Sequence, residues 1–175
     1  IVKDMAPHLK SGAIVTDTTT AARGITEAAE EIFERDVTFV SGHPLVSGSG
    51  FENASAELFE DQRWALAPTT RAPQRGVGVL VDFVEALGAK PLFISVEEHD
   101  SYMAAAAHLP VIVGHALMLT VARSPSWREI GKFAGEEFDG VSKPASSRPN
   151  DTLGGVAGNH EMLLHWIDQM ILELS

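Results

Sequence analysis

The chain has 175 residues, a formal net charge of −11 at pH 7, 45% hydrophobic residues and no cysteine. That length allows one domain or two small ones with a buried core. The acidic balance argues against nucleic acid or an anionic membrane as partner. The lack of cysteine excludes disulfides, thiolate catalysis and cysteine-ligated metal. An anionic substrate would have to meet a local basic cluster. No uninterrupted apolar run approaches the ~18 residues of a membrane span, because the long segment from Val96 to Ala122 contains Glu97, Glu98, His99, Asp100 and His108.

The first residues, Val2 to Leu9, read as the tail of a helix that ends at Ser11-Gly12, so further chain is expected before Ile1. Ala13 to Thr16 reads as a buried strand entering Asp17, and Ile25 to Phe33 as a helix with apolar residues at Ile25, Ala28, Ala29, Ile32 and Phe33. Val37 to Val40 is the next short strand, with His43 expected just past its end. A Ser-Gly loop leads to Phe51–Phe59; Trp64 to Ala67 is strand-like, Gly76 to Leu87 helical, and Lys90 to Ile94 a last strand. Strands and helices alternating at this spacing predict α/β architecture, a parallel or mixed sheet covered by helices.

The character changes at Ser95. Ser95 followed by Glu98 has capping-box spacing and predicts the start of a long helix through Leu119, kinked at Pro110. Trp127 to Phe133 and Leu153 to Leu174 are also expected to be helical, the latter with Leu163, Trp166, Ile167, Met170, Ile171 and Leu174 on one stripe. The expected division is therefore an α/β part over residues 1–94 and an all-α part over 95–175. Helices this apolar need a partner surface, which predicts a homodimer.

His43 is the leading catalytic candidate, since side chains at the carboxyl ends of strands in open α/β sheets face the ligand crevice. Pro44 restricts the backbone at the histidine. Asp17-Thr18-Thr19-Thr20 ends the neighbouring strand, where its hydroxyls can orient a histidine or cap a helix. His108 precedes the expected kink. His99 and Asp100, in the first turn of the long helix, read as surface groups facing the helix dipole. The remaining histidines show no metal-ligand spacing, so no metal is expected. The glycine pairs at Gly76-Val77-Gly78 and Gly154-Gly155 lack the strand-turn-helix context of a phosphate loop and read as packing or helix-entry glycines.

Taken in order, Val15-Thr16-Asp17, His43-Pro44-Leu45, Ser49-Gly50-Phe51-Glu52-Asn53-Ala54, Leu58-Phe59, Trp64 through Pro68, Glu97-Glu98-His99-Asp100 and His108-Leu109-Pro110 resemble the prephenate/arogenate dehydrogenase family over nearly the whole chain. The resemblance implies the C-terminal half of a Rossmann-like dinucleotide-binding domain, its first βαβ missing. A helical substrate and dimerisation domain follows, in a 6-phosphogluconate-dehydrogenase-like arrangement. It implies a cytoplasmic enzyme of tyrosine biosynthesis that uses NAD or NADP for oxidative decarboxylation of a small anionic substrate. On that alignment the catalytic histidine is His43, assisted by Thr20, a threonine where serine is usual. Substrate binding falls to His108, Lys143, Arg148 and Ser49, and cofactor binding to Asp17, Thr18 and Pro44. Lys143 stands where the family carries an arginine, giving charge without a bidentate fork. The loop after His43 is shorter than usual, with Ser49 near the place of an acidic residue, and Ala22 replaces a common lysine beside Arg23. Two other readings stay open: a related β-hydroxyacid-type dehydrogenase, and a non-catalytic dimerisation module.

Overall fold

The computed structural model describes residues 1–46, 54–55, 57–146 and 149–175, and the chain divides into two units, Ile1–Asp100 and Ser101–Ser175. In the first, strands β1 (Ile14–Thr16), β2 (Thr38–Pro44), β3 (Arg63–Pro68) and β4 (Lys90–Phe93) lie side by side in chain order. The sheet is mixed: β1 and β2 run parallel, β2 and β3 antiparallel, β3 and β4 parallel. Its helices are α1 (Val2–Met5), α2 (Arg23–Ile32) and α3 (Gln74–Ala86).

Successive strand residues point to opposite faces, and each face of β2 has its own core. Phe39 packs with Ala29 and Phe33, whereas Val40 joins Trp64, Leu66, Leu80, Val84 and Ala89. Burial on both sides explains why the central strands read as continuous apolar runs rather than alternating ones. Close approach of α3 to the sheet depends on Gly76, where an added Cβ would lie 2.0 Å from the Thr38 hydroxyl. Gly76 is thus the packing glycine that the sequence suggests.

One expectation about β2 needs correction, and the long helix carries a π-turn. His43 does not follow the strand; it lies inside it, paired with Ala65. The apolar run stops at Val40, but the antiparallel neighbour supplies partners from Val40↔Pro68 to Pro44↔Trp64, so the partner sets the strand's length. The helix begins as expected, with the Ser95 hydroxyl accepting the Glu98 N–H at 3.1 Å and donating to the Glu98 carboxylate at 2.9 Å. Its α4 segment (Val96–Met103) passes through a π-helical turn, Ala104–His108, into α5 (Leu109–Ala122). The Leu109 N–H bonds to the Ala104 carbonyl five residues back. This wide turn comes directly before Pro110, which stands in the first turn of α5. The irregularity in the long helix is thus a π-turn that directly precedes Pro110.

The second unit adds α6 (Trp127–Ile130), α7 (Glu136–Ser142), α8 (Pro149–Gly158) and α9 (His160–Glu173), with 3-10 turns at Gly131–Phe133 and Lys143–Ser146. The single helix expected over Leu153–Leu174 is broken at the buried Asn159, whose φ of −125° leaves the helical region after a glycine-rich stretch of low helix propensity. The α9 stripe is covered only in part: Leu163 is buried, but Ile171 and Leu174 are exposed. The acidic residues expected to interrupt the long apolar segment, Glu97, Glu98 and Asp100, all lie within its first five residues. The helix Val96–Ala122, with a mean hydropathy of 1.7 over its most apolar window, is long and apolar enough to cross a membrane by length and composition. Only 17% of that window is buried within the chain.

Two glycines two residues apart on α3 should respond oppositely to alanine. Gly76→Ala forces a Cβ into Thr38 and should cost about 1–3 kcal/mol. At Gly78, where nothing lies within 4 Å, alanine should stabilise by about 0.5–1 kcal/mol. Urea unfolding monitored by circular dichroism measures both.

Candidate functional site

Three side chains of the first unit form a hydrogen-bonded row. His43 Nδ1 lies 3.0 Å from His99 Nε2, and His99 Nδ1 lies 2.9 Å from Asp100 Oδ1. The two rings meet edge to face, their centroids 5.2 Å apart. His43 is half-buried, while His99 and Asp100 are 5% and 1% exposed. The surface placement expected for His99 and Asp100 is therefore wrong. Glu97 and Glu98 take the dipole-facing role in the first turn of α4, and the next two residues turn inward.

Asp100 also holds the start of α2. Helix α2 has no side-chain cap from its own N-terminal residues. Instead Asp100 Oδ1 accepts the Ala22 N–H at 2.7 Å and Oδ2 accepts the Arg23 N–H at 3.0 Å. A carboxylate here satisfies orphan backbone donors and sits at the positive end of the helix dipole. Burial by itself pushes the Asp100 carboxyl upward. The hydrogen bond from His99, those from Ala22 and Arg23, and attraction to the imidazole outweigh it, holding Asp100 below its ordinary value.

A second carboxylate clasps β1 to β2. Asp17 Oδ1 accepts the Gly42 N–H at 2.9 Å, and Oδ2 accepts the Thr19 N–H at 3.1 Å and the Thr19 hydroxyl. Gly42 must be glycine, because a Cβ would come within 2.6 Å of Thr16 Oγ1 and 2.9 Å of the Asp17 carbonyl. The segment carrying Thr20 is thus pinned at one end by Asp17 and at the other by Asp100. Thr20 is half-buried, Thr18 exposed, and Pro44 closes β2.

The other sequence candidates lie elsewhere or outside the described residues. His108 is buried at the end of the π-turn in the second unit, a turn that α8 and α9 pack against. Lys143 is exposed in the second unit, where it lines a cavity of about 620 Å³ with His115, Met118, Leu119 and Asp139. Close packing of α5 against α7 and the following 3-10 turn requires glycine at 114, where a Cβ would lie 2.9 Å from the Val141 carbonyl. Ser49 and Arg148 fall outside the described residues. No group of three potential metal ligands occurs among the described residues. Sequence reasoning missed the partnership of His99 and Asp100 with His43. The available signal was spacing: Asp100, Ala104 and His108 recur every four residues, and all three are buried.

Comparison with known proteins adds the following. The family model for the prephenate dehydrogenase nucleotide-binding domain matches residues 1–93, and that for the prephenate dehydrogenase dimerization domain matches 95–175. A cyclohexadienyl dehydrogenase of Zymomonas mobilis is 26% identical over 98% of this chain and 59% of its own length. A prephenate dehydrogenase of Bacillus subtilis is 26% identical over 93% of this chain and 44% of its own. The solved structure of prephenate dehydrogenase from A. aeolicus in complex with hydroxyphenyl propionate and NAD+ superposes with a TM-score of 0.88 at 25% identity, covering 99% of this chain and 61% of that one. The chain thus spans about half the length of the curated relatives it matches.

The lowered pKa of Asp100 makes a stability prediction. A carboxyl depressed in the folded state contributes stability that is complete above its unfolded value, about 3.9, and is lost as pH falls through its folded value. The stability advantage of the natural chain over Asp100→Asn should be constant above about pH 5 and shrink below about pH 4, read from urea midpoints across that range.

Proposed function

Because the chain belongs to the prephenate dehydrogenase family, we propose that it carries the catalytic portion of an NAD(P)-dependent dehydrogenase that oxidatively decarboxylates prephenate or arogenate. The observation that carries this reading is His43, fixed in a strand and hydrogen-bonded through His99 to a buried, ionised Asp100. In this proposal residues 1–94 supply the second part of the dinucleotide-binding domain. Residues 95–175 supply a helical substrate and dimerisation domain.

The residues present fit the reactive end of a dinucleotide. The carboxyl ends of parallel strands β1 and β2 lie side by side, with Thr18 and Pro44 as groups that would hold the ring and Asp17 fixing the turn between them. A phosphate cradle is not formed by Gly76, which is packed against Thr38. When bound, the oxidised nicotinamide supplies the hydride acceptor.

His43 does the proton work. As the ring C–H bond breaks and hydride departs, the hydroxyl on the same carbon gives its proton to His43. The carboxylate then leaves as carbon dioxide, its C–C electrons enter the ring, and His43 returns the proton to the phenol oxygen. An imidazole whose ordinary pKa is near neutral suits both transfers. Thr20, on its doubly pinned segment, assists. Substrate binding falls to His108, Lys143, Arg148 and Ser49, with cationic groups meeting the substrate's anionic ones.

The exposed apolar surface of the helix Val96–Ala122 and of α9 supports a homodimer, and with it a cytoplasmic protein whose apolar helix is covered by a second copy. Sedimentation should give twice the chain mass without detergent; a monomer, or solubility only in detergent, would refute that assembly. In the whole enzyme, His43→Asn should lower kcat by about 10²- to 10⁴-fold with little change in the KM for NAD(P). Release of carbon dioxide in step with NAD(P)H formation separates this reaction from other dehydrogenations.

A further inference from the structure

The hydrogen-bonded row dictates which nitrogen of His43 can act as base. An ionised carboxylate only accepts hydrogen bonds. Asp100 already receives two backbone N–H groups, and its pairing with His99 therefore requires the proton on His99 Nδ1. Above the pH at which the imidazoles titrate, His99 then presents a lone pair at Nε2. At 3.0 Å from that nitrogen, His43 Nδ1 has to be the donor. The lone pair of His43 is left on Nε2.

We propose that His99 and Asp100 are positioning residues that lock His43 in its Nδ1–H tautomer, making Nε2 the nitrogen that takes the substrate's hydroxyl proton. The proposal rests on the dehydrogenase reading for the identity of that proton, but the tautomer itself does not. Once Nε2 is protonated, the Nδ1–H still points at His99, so the row need not rearrange between the two proton transfers. The buried carboxylate at its far end favours the imidazolium over its separated charge. The arrangement gives His43 the same help that a triad's aspartate gives its histidine, here relayed through a second ring. Direct contact of Asp100 with His43 is unnecessary, because His99 transmits the proton order.

Nitrogen-15 NMR of the histidine rings reads this directly on the chain itself, above the pH at which its imidazoles titrate. His43 should show a pyrrole-like Nδ1 and a pyridine-like Nε2. In His99→Leu the signals should shift to the Nε2–H form that a free histidine side chain favours in water. In His99→Gln, whose amide oxygen can accept from Nδ1, they should return to the natural pattern. Backbone amide signals of Ala22 and Arg23 report whether Asp100 still caps α2 in each variant. A natural chain with the proton on Nε2 of His43 overturns the proposal, as does a folded His99→Leu variant that keeps the Nδ1–H tautomer. If the leucine variant does not fold, the natural chain's spectrum decides alone. The expected tautomer in a whole enzyme that releases no carbon dioxide from prephenate or arogenate would sink the dehydrogenase reading and leave the positioning role standing.

Discussion

The carboxylate of Asp100 organises the first unit. Burying a charge is costly unless hydrogen bonds replace the lost water, and here the Ala22 N–H, the Arg23 N–H and His99 Nδ1 are among the donors that do so. One side chain thereby joins α4 to the start of α2, residues 78 and 77 positions apart. It also sets the orientation of His99. Removing the charge would release an uncapped helix start and an imidazole with no fixed proton order, so structure and chemistry fail together.

Asp17 performs the corresponding task one strand away. Its carboxylate binds the Gly42 N–H, immediately before His43 in sequence, so the backbone that presents the histidine is fixed from two sides. The location of His43 within β2 rather than on a loop serves the same end. A site on a regular element holds its geometry better than one on a mobile connection, and His43 is paired with Ala65 of β3 while the preceding Gly42 is tied to Asp17. Glycine at 42 follows from that crowding, since Thr16, Asp17 and Trp64 occupy the space a side chain would need.

What could be read from the sequence was whatever local chemistry determines. The strands around Val40 and Leu66 were visible because burial on both faces leaves continuous apolar runs. The helix start at Ser95 was visible because the capping box is a local hydrogen-bond pattern, and it forms as expected. The α/β-then-helical architecture and the family resemblance were legible in the same way, from motifs in order. The far end of β2 was not, since Ser41-Gly42-His43-Pro44 has no apolar signal and owes its strand conformation to β3. Nor was α7, where Gly140 interrupts a short acidic segment that becomes helical by packing on α5. His99 and Asp100 were misread for a related reason: polar residues beside a helix start look solvent-facing until a partner 56 or 78 residues away turns them inward.

The central claim is that the row ending in Asp100 holds the proton on His43 Nδ1 and supports the imidazolium formed when Nε2 takes a proton. The pH dependence of kcat/KM for the proposed oxidative decarboxylation, measured in the whole enzyme and its His99→Leu variant, tests that claim most directly. Losing the link to the carboxylate destabilises protonated His43, so the acid limb should move to lower pH while the maximal rate falls. Superimposable profiles would show that His43 works without the row and would contradict the account.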